Sequence, residues 1–428
     1  MTRPQTSSPQ LRRDLGKWDL TAIGVNQVIG SGVFLIPATL VLHIGAWSWI
    51  ACGLVGVLAL LIALNFAEAS SRFEGTGGAY LYTRAAFGRF PSFEIGWMLW
   101  ATRVTSWASV VNGLADALSV YWPGLRSGAI RTALISAVIL AIMTINVRGI
   151  RQSSTAVNIL TISKLAPLVL FVLLGLPHVS WAALQPDVSP DWTQISTATL
   201  ALIFAYGGYE VIPVPAGEAR DPKRIVPFAM VTTIVIVSFV MTLVQVVALG
   251  TLPGLATSKA PLADAAVLFL GGWGALMMTA GAAVSMTGNN IGQALSGSRN
   301  LFALAEQGDL PKIFGRVHAR FQTPDFSIIF TALVVLALAL SGSFATLAAT
   351  SAVTRLLVYS GTCASVLALR RESRAPFTIP LGPTVPVLAL ALSIAILYGA
   401  TTLQLRVGAA FLVTGAILYG VARWRSSS

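Results

Sequence analysis

Apolar residues run along this chain in blocks of about twenty, the length a helix needs to cross a bilayer, with short polar and basic knots between them. Windows of that size predict about twelve transmembrane helices and an all-α integral membrane protein. Their approximate bounds are 18–39, 45–66, 92–121, 128–147, 154–176, 194–217, 225–249, 267–298, 325–341, 345–369, 385–402 and 405–424. The third and eighth are long enough to tilt. The longest polar connection is the stretch around Asp187 to Thr193, so no separate soluble domain is expected. The chain then divides into a cytoplasmic tail (1–17), spans 1–5 (18–176), spans 6–10 (194–369) and spans 11 and 12 (385–424).

Composition agrees with this pattern. Of 428 residues, 55% are hydrophobic and 10% charged, and the mean hydropathy is +0.77; a soluble domain carries about a quarter charged residues. The formal net charge of +12 raises nucleic acid as a partner, but a nucleic-acid surface needs its bases clustered on one face. Here they mark topology. With the N-terminus in the cytoplasm, twenty-one Lys and Arg side chains fall in inside loops and tails, and four (Arg126, Arg131, Lys259 and Arg406) fall outside. That bias predicts a multi-pass protein of the cytoplasmic membrane with both termini inside. The polar, basic stretch Met1 to Leu20 does not read as a cleavable leader. Cys52 and Cys363 lie in apolar runs and offer neither a disulfide framework nor zinc-ligand spacing.

Two spans carry breakers at their middle. The first contains Gly24, then Gly30-Ser31-Gly32, then Pro37; the sixth contains Gly207-Gly208, then Pro213 and Pro215. Glycine frees the backbone and proline removes a donor. Unpaired backbone at membrane depth survives only where it lines a cavity or meets a ligand, and matched breaks in two halves of a chain point to a transporter's substrate site. Close helix packing at glycines is the simpler reading of either break taken alone. The two lie five spans apart, an odd number, so the helices enter the membrane from opposite sides, as in a five-plus-five inverted repeat. Free amides of a half-helix N-terminus suit a carboxylate, and free carbonyls suit an ammonium. The pair reads as a clamp for a zwitterionic α-amino acid.

The chain resembles the amino acid–polyamine–organocation transporters, within them the amino-acid permeases and their cationic-amino-acid-transporter-like branch. The resemblance rests on Ile29-Gly30-Ser31-Gly32-Val33-Phe34 with Pro37, on Gly75-Thr76-Gly77-Gly78-Ala79-Tyr80, and on Phe204 to Glu210. It rests also on Glu218 to Pro227 and on Ser298 to Pro311, all in order and over nearly the whole chain. It implies the inverted-repeat fold with broken helices 1 and 6, two further C-terminal helices and alternating access. It also implies that Gly30, Ser31 and Gly32 contact the substrate carboxylate, while carbonyls of Val28, Phe204, Ala205 and Gly207 contact its amino group. The stretch from Gly75 becomes a cytoplasmic re-entrant loop.

Three basic residues fall inside spans: Arg103, Lys164 and Arg355. Ionisable groups at that depth are functional hypotheses by default. Lys164, half way through the fifth span, either exchanges a proton or permanently braces the break in helix 1. The resemblance ties a lysine here to sodium independence and proton coupling, with Glu210 as a second candidate. Arg103 shares a helical face with Trp100 and Trp107. By the resemblance that face lines the side-chain end of the pocket, and there Arg103 either binds the substrate or pairs with Glu210. Arg355 reads as structural, with Glu68 or Glu94 as partner. Asn289, Gln293 and Ser296 recur at helical spacing and either line the pocket or bond between helices. Tyr206 and Tyr209 are lid candidates or packing.

No catalytic constellation is visible. His43, His178 and His318 are far apart, and no metal spacing, nucleophile elbow or phosphate loop occurs. The expectation is a carrier rather than an enzyme, with no cofactor and no metal. Its partners are a small-molecule amino acid, protons and the lipid bilayer, not nucleic acid. It is sodium-independent and works by proton symport or amino-acid exchange. An exporter, a polyamine carrier and an ion channel are the alternatives.

Overall fold

A computed structural model describes residues 15–74, 77–119, 121–149, 154–186 and 189–427. The tail residues Arg3, Arg12 and Arg13, the Gly75-Thr76 start of the glycine-rich stretch, Arg151 and Asp187 lie outside them. The described residues form α-helices joined by short turns. They hold no strand, only an isolated bridge between Leu15 and Ala219.

In order the helices are α1 (Lys17–Val28), α2 (Gly32–Ile44), α3 (Trp47–Ser71), α4 (Ala79–Phe87), α5 (Arg89–Leu118), α6 (Ala129–Val147), α7 (Ser154–Gly175) and α8 (Trp192–Tyr206). They continue with α9 (Pro222–Thr251), α10 (Pro261–Leu270), α11 (Gly272–Glu306), α12 (Asp325–Ser341), α13 (Phe344–Leu369), α14 (Thr384–Tyr398) and α15 (Thr402–Ser427). Local chemistry sets several ends. Asp191 accepts from the Gln194 amide at 2.8 Å while the Gln194 side chain accepts from the Asp191 amide at 2.9 Å, a reciprocal cap that starts α8. Pro222 opens α9, where its missing donor costs nothing.

Among the described residues six helices (α3, α6, α7, α9, α13, α15) are long and apolar enough to cross a membrane, seven spans if the α1–α2 pair, bent by 46°, counts as one. The other predicted spans also coincide with helices, and each misses that simple test for a physical reason. Helices α5 and α11 are long, at 30 and 35 residues, but carry the buried polar side chains described below. Helices α12 and α14 are apolar but only 17 and 15 residues long, and α8 stops at its break.

Three expectations need correction. The sixth span, predicted over 194–217, is helical only to Tyr206; beyond the break lie 3-10 turns at Tyr209–Val211 and Ala216–Glu218. Pro213 and Pro215, two residues apart, deny donors and block an α-helical second half. The eighth span is interrupted at Gly271, whose φ of 61° turns the chain between α10 and α11. From Ala79 the glycine-rich stretch becomes helix α4 rather than loop.

Burial separates inner from outer helices. In α13, 67% of the most apolar window is buried, against 17% in α6 and in α15, so the apolar outer faces of the last two are left for lipid. Helices α5, α11 and α13 form the centre. Ion pairs tie the turns at the end where inside loops are expected: Glu68 accepts from Arg370 at 2.6 Å and 2.5 Å and from the Ile379 amide at 2.9 Å. Asp309 accepts from Arg89 at 2.5 Å and from the Tyr80 hydroxyl at 2.9 Å. Burial first, then that bond to Asp309, pushes the Tyr80 hydroxyl up to about 12, which keeps it a donor.

Candidate functional site

The two breaks meet. Helix α1 ends at Val28 and α2 begins at Gly32. The carbonyls freed at the end of α1 are met by side chains from other helices. Lys164 Nζ of α7 donates to Asn26 O at 2.9 Å and Ile29 O at 3.3 Å. From α11, Asn289 Nδ2 donates to Gln27 O at 2.7 Å and Ser285 Oγ to Ile29 O at 3.0 Å. On the other side of the break, the first amides of α2 have no intrahelical acceptor, and the buried Ser31 hydroxyl is without a hydrogen-bond partner.

Helix α8 ends at Tyr206; Gly207 is extended (φ −75°, ψ 148°) and Gly208 has φ 133°. Only glycine adopts that angle readily, and there is no room for another residue: a Cβ on Gly208 would lie 2.6 Å from Gln27 O and 2.9 Å from Val28 N. A Cβ on Gly32 would lie 2.8 Å from Ala205 Cα. Backbone therefore packs on backbone where the two breaks cross.

Between them is a small cavity of about 10 Å³, roughly the space of one water molecule. It is lined by Gln27, Val28, Gly30, Ser31 and Gly32 from the first break, Phe204, Ala205 and Gly207 from the second, Ser106 and Val110 of α5, Asn289 and Gln293 of α11, and Arg355 of α13.

Beside the cavity is a buried polar network centred on Glu210. Its Oε1 accepts from Arg103 Nη2 and from Arg355 Nε, each at 3.0 Å. Its Oε2 accepts from the Gly208 amide at 2.8 Å and from Tyr359 OH at 3.2 Å. Arg355 also donates through Nη1 to Phe204 O at 3.3 Å and through Nη2 to Ser106 Oγ at 3.3 Å. Arg103 Nη1 donates to Gln293 Oε1 at 3.2 Å. All of these groups are buried. The arrangement offers an amide-rich end, several carbonyls and a guanidinium around a small buried space, but no nucleophile with its base.

The family model described as amino acid permease matches residues 15–422, almost the entire described chain. The chain belongs to the amino acid permease family. Among its relatives, the methylthioribose transporter of Bacillus subtilis is 27% identical over 92% of this chain and 90% of its own. The serine/threonine exchanger SteT of the same organism is 27% identical over 90% of each. Cationic amino acid transporter 4 of Homo sapiens is 27% identical over 88% of this chain and 63% of its own. The permease is thus a multi-pass membrane protein of a transporter family.

In this permease the structure brings Val28, Gly30, Ser31, Gly32, Phe204, Ala205, Gly207, Asn289 and Gln293 together around the cavity. The other nominated residues lie outside its lining. Tyr206 points away and donates to Cys52 O of α3 at 2.8 Å. Tyr209 stacks on Tyr359 at 5.5 Å, Trp107 is buried in α5 outside that lining, and Ser296 bonds back to Gly292 O in its own helix. Lys164 stands behind the end of α1, and Arg103 and Glu210 form the layer behind Arg355. The expected partner of Arg355 is corrected: it pairs with Glu210, while Glu68 is taken by Arg370 and Arg72, because α13 faces the second break at that depth. Ser106, Val110 and Gln27 were not singled out from sequence. The signal was present in α5, where residues 103, 106 and 110 share a face by three-to-four spacing, adjacent to the one chosen.

Proposed function

We propose that this permease is a secondary carrier of α-amino acids, working by alternating access in the cytoplasmic membrane with both termini inside. The observation that carries this reading is the crossing of two backbone breaks at a small cavity lined by buried residues. Carbonyls and amides exposed in mid-membrane are costly unless a ligand or cavity uses them. The amides and hydroxyl at Gly30, Ser31 and Gly32 take the substrate carboxylate. The carbonyls at Val28, Ala205 and Gly207 take its amino group, while that of Phe204, expected to join them, is already held by Arg355 Nη1. A relative named as a serine/threonine exchanger supports amino acids as the substrate class. A space of about 10 Å³ is too small for an amino acid, so binding requires the helices around it to part, which suits a carrier that opens to one side at a time.

In the same reading, spans 1–5 (18–176) and 6–10 (194–369) are the two inverted halves, with spans 11 and 12 (385–424) outside them. Transport is sodium-independent, by proton symport or exchange. Lys164 holds the end of α1 through two carbonyls. A protonated amine donates to both at once, and a neutral one holds them less firmly, so a proton on Lys164 sets how tightly the first break is closed. A polyamine carrier is the poorer reading, because a polycation would sit against Arg355. The test is counterflow in proteoliposomes: labelled amino acid enters saturably and faster when unlabelled amino acid is preloaded. Unsaturable conductance would overturn the carrier in favour of a channel.

A further inference from the structure

The buried network beside the cavity does not balance. Two guanidinium groups, Arg103 and Arg355, share the single carboxylate of Glu210, and both bond to its Oε1. Its Oε2 is already occupied by a backbone amide and a tyrosine hydroxyl. Arginine does not deprotonate in proteins, so the cluster keeps a surplus of one positive charge. A surplus charge in a low-dielectric interior is strongly unfavourable. Among the described residues, no second carboxylate bonds to it.

Of the two arginines, Arg355 is the one that lines the cavity, and it is the sole charged residue in that lining. Its position is built in: a Cβ on Gly207 would overlap the Arg355 guanidinium, so the bare backbone of the break is what admits it. Arg355 Nη1 also occupies the Phe204 carbonyl, which accepts from the Gly207 amide as well, at 3.1 Å. A cationic group brought to this end of the cavity would meet a like charge and a carbonyl already in use. An anionic group would meet a guanidinium backed by the Ser106 hydroxyl.

We propose that the substrate is an amino acid of net negative charge, an α-amino dicarboxylate, whose side-chain carboxylate is held by Arg355. The proposal rests on the amino-acid carrier reading above and adds the substrate class to it. The α-carboxylate lies at the start of α2 and the second carboxylate at the α8–α13 end. The anion neutralises the surplus charge of the Arg103–Glu210–Arg355 cluster. Substrate charge, rather than side-chain size, is what the site selects.

The experiment is competition for counterflow in proteoliposomes. Aspartate and glutamate are compared with asparagine and glutamine, which match them in shape and differ in charge, and with lysine and arginine. In the native protein the acids are expected to compete more potently than their amides by about tenfold or more, the usual reach of a hydrogen bond to a charged group. In Arg355→Gln that ratio collapses towards one, and Arg355→Lys restores part of it. Amides or cationic amino acids competing as well as the acids in the native protein would overturn the proposal while leaving the carrier reading intact. That comparison needs no variant to fold. No competition by any amino acid would overturn both readings.

Discussion

Gly207 shows how much one missing side chain decides. With no Cβ, the residue lets the Arg355 guanidinium lie against the broken backbone and reach Glu210, Phe204 O and Ser106 together. Alanine there would overlap that guanidinium and drive it off its carboxylate. Breaking a buried ion pair costs about 3–5 kcal/mol, so Gly207→Ala is expected to lower the thermal unfolding temperature and to cut uptake about tenfold or more. Gly53→Ala is the control, since a Cβ at Gly53 has nothing within 4 Å. Equal thermal stability and uptake in the two variants would refute the account.

The same residue marks where sequence stops being informative. That Gly207 and Arg355 matter was legible, one as a breaker in mid-span and the other as a charge in the membrane. That they touch was not. Their proximity depends on the rotation of α13 about its axis, which the Thr and Ser residues scattered among its apolar ones do not set, and so Glu68 and Glu94, rather than Glu210, were the partners expected.

At the scale of elements, apolar length was easy to read and polar function was not. Helices α3, α9 and α13 follow from their runs of Leu, Val, Ile and Ala. Helices α5 and α11 are less apolar because they face inward and carry Arg103, Ser106, Asn289 and Gln293. The second half of the sixth span was misread because two prolines were taken as interruptions of a helix, when between them they prevent one.

The contact of α7 with the end of α1 gives a testable device. Lys164 supplies the two bonds that hold Asn26 O and Ile29 O, while Asn289 and Ser285 hold neighbouring carbonyls from α11. Lys164→Ala therefore leaves the break partly braced. Uptake driven by a pH gradient is expected to be lost, while exchange against preloaded amino acid survives. An unchanged pH dependence of uptake would assign Lys164 a purely structural part.

For the whole molecule, the excess of basic residues is an orientation signal. Arg126 and Arg371 are both exposed, in turns at opposite ends of the helices, and the two native cysteines are buried. A membrane-impermeant maleimide added to intact cells is expected to label Arg126→Cys and to spare Arg371→Cys until the cells are permeabilised. The reverse pattern would invert the topology.

The contact of Gly208 with the backbone of Gln27 and Val28 has a consequence for leakage. No side chain lies between the two strands of backbone to take up slack, so neither bend can straighten without displacing the other. They behave as meshed gears rather than as two independent hinges. A pore open to both sides at once would need one of them to turn alone, and this contact denies that movement. In a carrier, tightness against ions then rests in part on how closely Gly208 seats against the Gln27 carbonyl.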